Sequence, residues 1–154
     1  MKKINSSNFK KAMSNFATGV TIISINYKNT FIGKTVNSFS SLSLNPPLIL
    51  FSLDKKSTSI NKFKISKNIG ISFLSNKQKE LSIYFSKKNS LWGNTKFFLT
   101  KNKIPLIERS VINLNCVSIK KVPSGDHIIF ICKVNEIFSS KKLKPLIYVN
   151  NQYT

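Results

Sequence analysis

A single histidine, His127, and five carboxylates, Asp54, Glu80, Glu108, Asp126 and Glu136, are all the chain offers for acid–base chemistry near neutral pH. Any Ser-His-Asp or Cys-His arrangement would have to use His127, and no G-x-S-x-G nucleophile elbow is present. The carboxylates are scattered and form no evident pair for glycoside hydrolysis. Neither a P-loop nor a Rossmann glycine fingerprint occurs. Cys116 and Cys132 lack the spacing of a zinc site, and no metal centre is expected. Such a chain does not read as a hydrolase. If it catalyses a reaction, a cofactor must carry the chemistry, and no side chain is expected to serve as a nucleophile.

Three segments have the residue types to hold such a cofactor. Gly33-Lys34-Thr35-Val36-Asn37-Ser38-Phe39-Ser40-Ser41 places hydroxyls, an amide and exposed backbone at the end of a strand, which suits the polar edge of an isoalloxazine. A Ser-rich corner between strands would look the same. Ser52-Leu53-Asp54-Lys55-Lys56-Ser57-Thr58 ends a strand in lysine and hydroxyls at a helix start, where phosphate is favoured. Helix capping alone would use the same residues. Gly125-Asp126-His127 puts the histidine beside a turn, facing either a nicotinamide nucleotide or solvent.

The elements that must position these segments are short and mostly strands. Phe9, Met13, Phe16 and Ala17 recur on one helical face, with Ser6 or Ser7 as cap and Gly19 at the far end. Val20–Ile25 and Phe31–Val36 alternate around a polar turn at residues 27–30, which predicts a hairpin. Pro46-Pro47 precedes a buried strand at residues 48–53, and Ser57–Ser59 precede a short helix burying Ile60 and Phe63. A strand at residues 69–74 and a helix at about residues 77–85 follow, the helix with Leu81, Tyr84 and Phe85 on one side. Residues 86–100, which include Trp92, read as irregular. A long hairpin turns at residues 123–126, with Cys116 and Cys132 nearly opposite one another. A one-residue change of register decides whether the two thiols share a face, and no disulfide is expected. A last short strand spans residues 145–149. The pattern is mainly β: a barrel with two or three short peripheral helices.

The chain's 154 residues suit one domain, residues 1–154, with no linker or repeat. The basic start is not followed by an apolar targeting segment, and no apolar run approaches the roughly 18 residues of a membrane span. Two reduced cysteines then fit a soluble, cytoplasmic protein. The net charge of +20 would ordinarily suggest nucleic acid. Arg109 is the sole arginine, however, and the abundance of Lys, Asn, Ile and Phe follows A/T-rich codons. The charge reads as a solvated surface that attracts anionic ligands, with nucleic acid disfavoured.

Taken in order, the motifs resemble the flavin reductase-like family, the FMN-binding split barrels that include reductase components of two-component monooxygenases. Phe16-Ala17-Thr18-Gly19-Val20-Thr21 is similar to the family's opening, and Gly33 with residues 35–48 to its most specific motif. Leu81-Ser82 with Phe85, Ile104-Pro105-Leu106, Leu114 with Cys116, Gly125-Asp126-His127 and Pro145-Leu146-Ile147-Tyr148 complete the series over nearly the whole chain. The resemblance implies a Greek-key-like split β-barrel, a homodimer, and flavin held near the subunit interface. Thr35, Val36, Asn37 and Ser38 would meet the isoalloxazine, and Ser52, Leu53, Asp54, Lys55, Ser57 and Thr58 the ribityl-phosphate side. Phe85 and Trp92 would lie near the flavin, and His127 and Tyr148 would bind the nicotinamide nucleotide.

The implied reaction is hydride transfer from NADH or NADPH to FMN or FAD, with reduced flavin passed to a partner monooxygenase. Two residues depart from the family pattern: Lys34 stands where a small or apolar residue is usual, and Asn45 where aspartate is common. A flavin-binding electron carrier or sensor of the same fold, and a basic nucleic-acid-binding barrel, are the alternative readings.

Overall fold

The computed structural model describes residues 3–139 and 142–154. Met1 and Lys2 of the basic start lie outside the described residues. The chain opens with helix α1 (Ser6–Met13), then β1 (Thr18–Gly19), β2 (Thr21–Tyr27), β3 (Thr30–Val36), β4 (Ser40–Ser43) and β5 (Leu48–Asp54). Helix α2 (Ile60–Ile65), β6 (Asn68–Phe73), helix α3 (Lys79–Ser86), β7 (Phe97–Leu99) and β8 (Pro105–Ile107) follow. The hairpin of β9 (Ile112–Ser124) and β10 (His127–Ser139) precedes β11 (Ile147–Val149) and β12 (Gln152–Tyr153).

Seven strands form one sheet in the order β3-β2-β6-β9-β10-β5-β4, with every pairing antiparallel. The β2–β3 hairpin closes through Lys28 and Asn29, whose φ angles of 49° and 63° match the right-handed twist of the flanking strands. The sheet curls on itself. Ile23, Ile25 and Val36 from one end share a core with Ile49, Phe51 and Leu53 from the other, around Phe130 and Cys132. Each such side chain withdrawn from water contributes about 1.5–3 kcal/mol. The edge strands β3 and β4 are not hydrogen-bonded to each other, so the ring stays open. Instead Ser38, just past β3, donates its hydroxyl to Ser52 O and accepts from Ser52 N, both at 3.0 Å. The result is a mostly β, split-barrel-like sheet with a seam between β3 and β5, bridged by residues that sequence motifs place at the site.

A second core covers the outer side of β2 and β3, where Phe85 of α3 packs with Trp92, Ile22, Leu74 and Ile107. Gly33 belongs to this contact. A Cβ there would lie 2.8 Å from Phe85 and 3.1 Å from Trp92, so only glycine lets the rings reach the strand.

Several elements differ from expectation. Helix α1 ends at Met13, before Phe16 and Ala17, and Asn5 caps it by accepting from Asn8 N at 2.8 Å. Ser6 and Ser7 are already helical, and Gly19 lies in β1. The apolar positions Phe9, Met13 and Phe16 are exposed, so periodicity was present without a partner face in the described chain to bury it. Strands β7 and β8 pair within and beyond the stretch read as irregular. In α3, Phe85 is buried but Tyr84 is exposed. Bulges in the long hairpin set Cys116 opposite Val134 and Cys132 opposite Ser118. Both thiols nonetheless enter the main core, unpaired. Burial pushes both up, Cys132 to about 12, which leaves them protonated and unreactive at neutral pH.

Candidate functional site

A cleft of about 490 Å³ opens at the seam. Its walls are Lys34 to Ser38 at the end of β3, Ser52, Leu53 and Asp54 at the end of β5, and Lys56, Ser57 and Thr58 leading to α2. Ser86 and Lys88 close it from the end of α3, and His127 from the start of β10. Strand register brings these together: His127 is directly opposite Asp54, and Ile128 opposite Leu53.

Local hydrogen bonds decide which groups face the opening. Thr35 donates its hydroxyl to Ser82 O at 2.7 Å, which ties β3 to α3. Asp54 accepts from Lys56 N at 2.7 Å, and Ser57 N donates to Asp54 O at 3.0 Å, folding a tight turn. That turn sends Lys56 into the cleft. Lys55 goes the other way, donating Nζ to Gly125 O at 2.6 Å, so it pins the β9–β10 turn and does not line the cleft. Ser59, rather than Ser57 or Thr58, stands at the start of α2, and its side chain makes no capping bond. Ser57 and Thr58 are therefore not spent on capping, and both line the cleft.

His127 Nδ1 lies 2.7 Å from Asp126 Oδ1. This hydrogen bond, with the histidine's charge and that of Lys56, holds the Asp126 carboxyl below its usual range. It also leaves the other ring nitrogen of His127 for a ligand. Lys34 donates Nζ to Lys87 O at 3.2 Å. Partial burial, then repulsion from Lys88, holds its ammonium below the ordinary lysine range. Three lysines face one carboxylate, Asp54, among the described lining residues.

The structure does not bring every expected residue to this cleft. Phe85 and Trp92 lie behind β3, ring centroids 5.0 Å apart, and are buried in the second core. They form a back wall rather than a lining, because Phe85 of α3 and Trp92 of the segment after it both close on Gly33. Tyr148 lines two adjoining cavities. One of about 160 Å³ shares Thr35, Val36 and Asn37 with the cleft; the other, of about 520 Å³, shares Asn37 and Ser38. The sequence places Lys56 in the second segment but not among the expected flavin contacts, and Ser86 and Lys88 lie outside all three segments, where one more serine or lysine has no contrast in this chain. Tyr153 was also missed; its hydroxyl lies 2.9 Å from Ser82 Oγ and borders the smaller cavity.

The lining of the cleft combines the Asn37 amide and strand-end backbone of residues 35–38 and 52–54 with the amines of Lys34, Lys56 and Lys88 and the hydroxyls of Ser57 and Thr58. That set of groups suits a phosphorylated flavin, with backbone and amide groups to hydrogen-bond a polar ring edge and lysines and hydroxyls to meet an anion. No group of three or more metal-ligating side chains occurs among the described residues.

A family model described as the flavin reductase like domain matches residues 13–154. An FMN reductase (NADH) from Agrobacterium fabrum is 32% identical over 130 residues, covering 84% of this chain and 75% of that protein. The reductase subunit of a flavin-dependent monooxygenase from Mycobacterium tuberculosis is 28% identical over 155 residues, covering 99% of this chain and 83% of that protein. The solved structure of flavin reductase PheA2 in its native state superposes with a TM-score of 0.90 at 31% identity, covering 98% of this chain and 97% of that one.

Proposed function

The chain belongs to the flavin reductase-like domain family, and from that premise we propose that it is an NAD(P)H-dependent flavin reductase whose seam cleft binds FMN or FAD. Bound flavin supplies the ring that accepts hydride from a reduced nicotinamide. The protein's part is to bind, orient and exclude water, and none of its side chains needs to act as a nucleophile.

Residues 35–38 and 52–54 hold the polar edge of the ring, with the Ser38–Ser52 hydrogen bonds keeping the two walls at fixed separation. Donors there meet the negative charge that reduction builds on the ring, in place before the reaction begins. Lys56, Lys88, Ser57 and Thr58 neutralise and hydrogen-bond the phosphate. Phe85 and Trp92 act at one remove, by stiffening β3 from behind. His127 and Tyr148 receive the nicotinamide nucleotide. His127 is oriented for this by Asp126, and Tyr148 borders cavities that open onto Asn37.

We further read residues 1–154 as one domain that works as a homodimer in the cytoplasm and passes reduced flavin to a partner monooxygenase. The monooxygenase subunit among its relatives supports the last point. No helix among the described residues is long and apolar enough to cross a membrane. The observation that carries the proposal is the convergence of three sequence-distant, hydroxyl- and lysine-bearing segments on one cleft. Steady NADH or NADPH oxidation by the purified chain should require added flavin. Oxidation at the same rate without flavin, or none with it, would refute the assignment.

A further inference from the structure

We propose that Lys34 is a specificity-determining residue that makes this chain prefer a flavin dinucleotide to the mononucleotide. The inference rests on the flavin reading above. Lys34 shares a face of β3 with Ile32 and Val36, which pack on the main core, yet its amine reaches Lys87 O. Lys34 thereby lines the cleft, with Lys88 near enough to repel its amine.

Beyond it lies a second groove of about 200 Å³. Lys34 and Thr58 line both spaces, so they mark the passage between them. The groove presents Lys62 and Asn89 alongside the apolar surfaces of Phe31 and Leu91, and no carboxylate among the described residues. Apolar surface for a purine, polar groups for a sugar and cations at the entrance match a nucleoside phosphate.

A mononucleotide's single phosphate is served by Lys56, Lys88, Ser57 and Thr58, which leaves Lys34 and Lys62 without an anion. Lys34 has no carboxylate within salt-bridge distance among the described residues, although its stem is partly buried. A partly buried cation without a counter-charge is unfavourable, and a second phosphate at the passage would relieve it. The direction in which burial and Lys88 move the Lys34 amine agrees with this.

Equilibrium dialysis of FAD, FMN and riboflavin against the wild-type chain, Lys34→Met and Lys34→Arg tests the inference. Wild type should hold FAD more tightly than FMN. Lys34→Met should weaken FAD by about tenfold and FMN by less than about threefold, the size of one lost charge-assisted contact. Lys34→Arg should restore the preference. Retained FMN binding by Lys34→Met shows that its fold is intact. Equal losses for FAD and FMN, or no loss for either, overturn the inference while leaving the flavin reading in place. A wild-type chain that binds none of the three overturns the flavin reading itself.

Discussion

The pair Asp126–His127 shows how a single contact ties chemistry to pH. Asp126 titrates lower in the folded chain than when unfolded, so the pair's stabilisation is present above the usual carboxylate range. It is lost as pH falls through the lowered value. His127→Ala should move the Asp126 carboxyl titration, followed by NMR, upward toward the ordinary carboxylate range; an unchanged titration would show that His127 is not the main cause. The same variant should raise the KM for the nicotinamide nucleotide more than it weakens flavin binding. Gly33 makes a second prediction at this scale. Gly33→Ala pushes a methyl against Phe85 and Trp92, and thermal unfolding should register a loss of about 1–3 kcal/mol. An unchanged midpoint would mean that the rings can retreat. Much of the cleft's lining was legible at this scale, because two hydroxyl-rich segments fall at the ends of strands that the fold brings together. The choice of Lys56 over Lys55 was not, since it depends on which backbone N–H Asp54 accepts from. Nor was the withdrawal of Phe85 and Trp92, which depends on how α3 and the segment after it pack against Gly33 of β3.

Among the elements, the hairpins could be read directly: strongly β-branched runs on either side of Lys28–Asn29 and of Gly125 leave few other folds. Strands of three residues, such as β7 and β8, carry too little periodicity to be seen. The early end of α1 and the exposure of its apolar face depend on what packs there, which no local pattern reveals. The seam between β3 and β5 is the element-scale feature on which function turns. Ser38→Ala removes an acceptor and a donor at once and leaves both backbone groups of Ser52 without that partner. It should cost about 1–2 kcal/mol of stability and weaken flavin binding by about tenfold, by calorimetry and fluorescence titration. Weakened stability with unchanged flavin affinity would show that the seam does not set the cleft.

For the whole molecule, the net charge of +20 is the dominant physical property. Its uniform lysine content obscured the local lysines that matter, yet the field still acts on ligands. Raising ionic strength should therefore weaken FMN binding while leaving riboflavin, which has no phosphate, nearly unaffected; parallel losses would place the phosphate away from the lysines. The most direct test of the account follows the visible spectrum of an anaerobic mixture of the chain and FMN as NADH or NADPH is added. The oxidised-flavin bands should bleach within seconds to minutes in the presence of protein and persist in its absence. Bands that persist with protein and either nicotinamide nucleotide present would contradict the assignment.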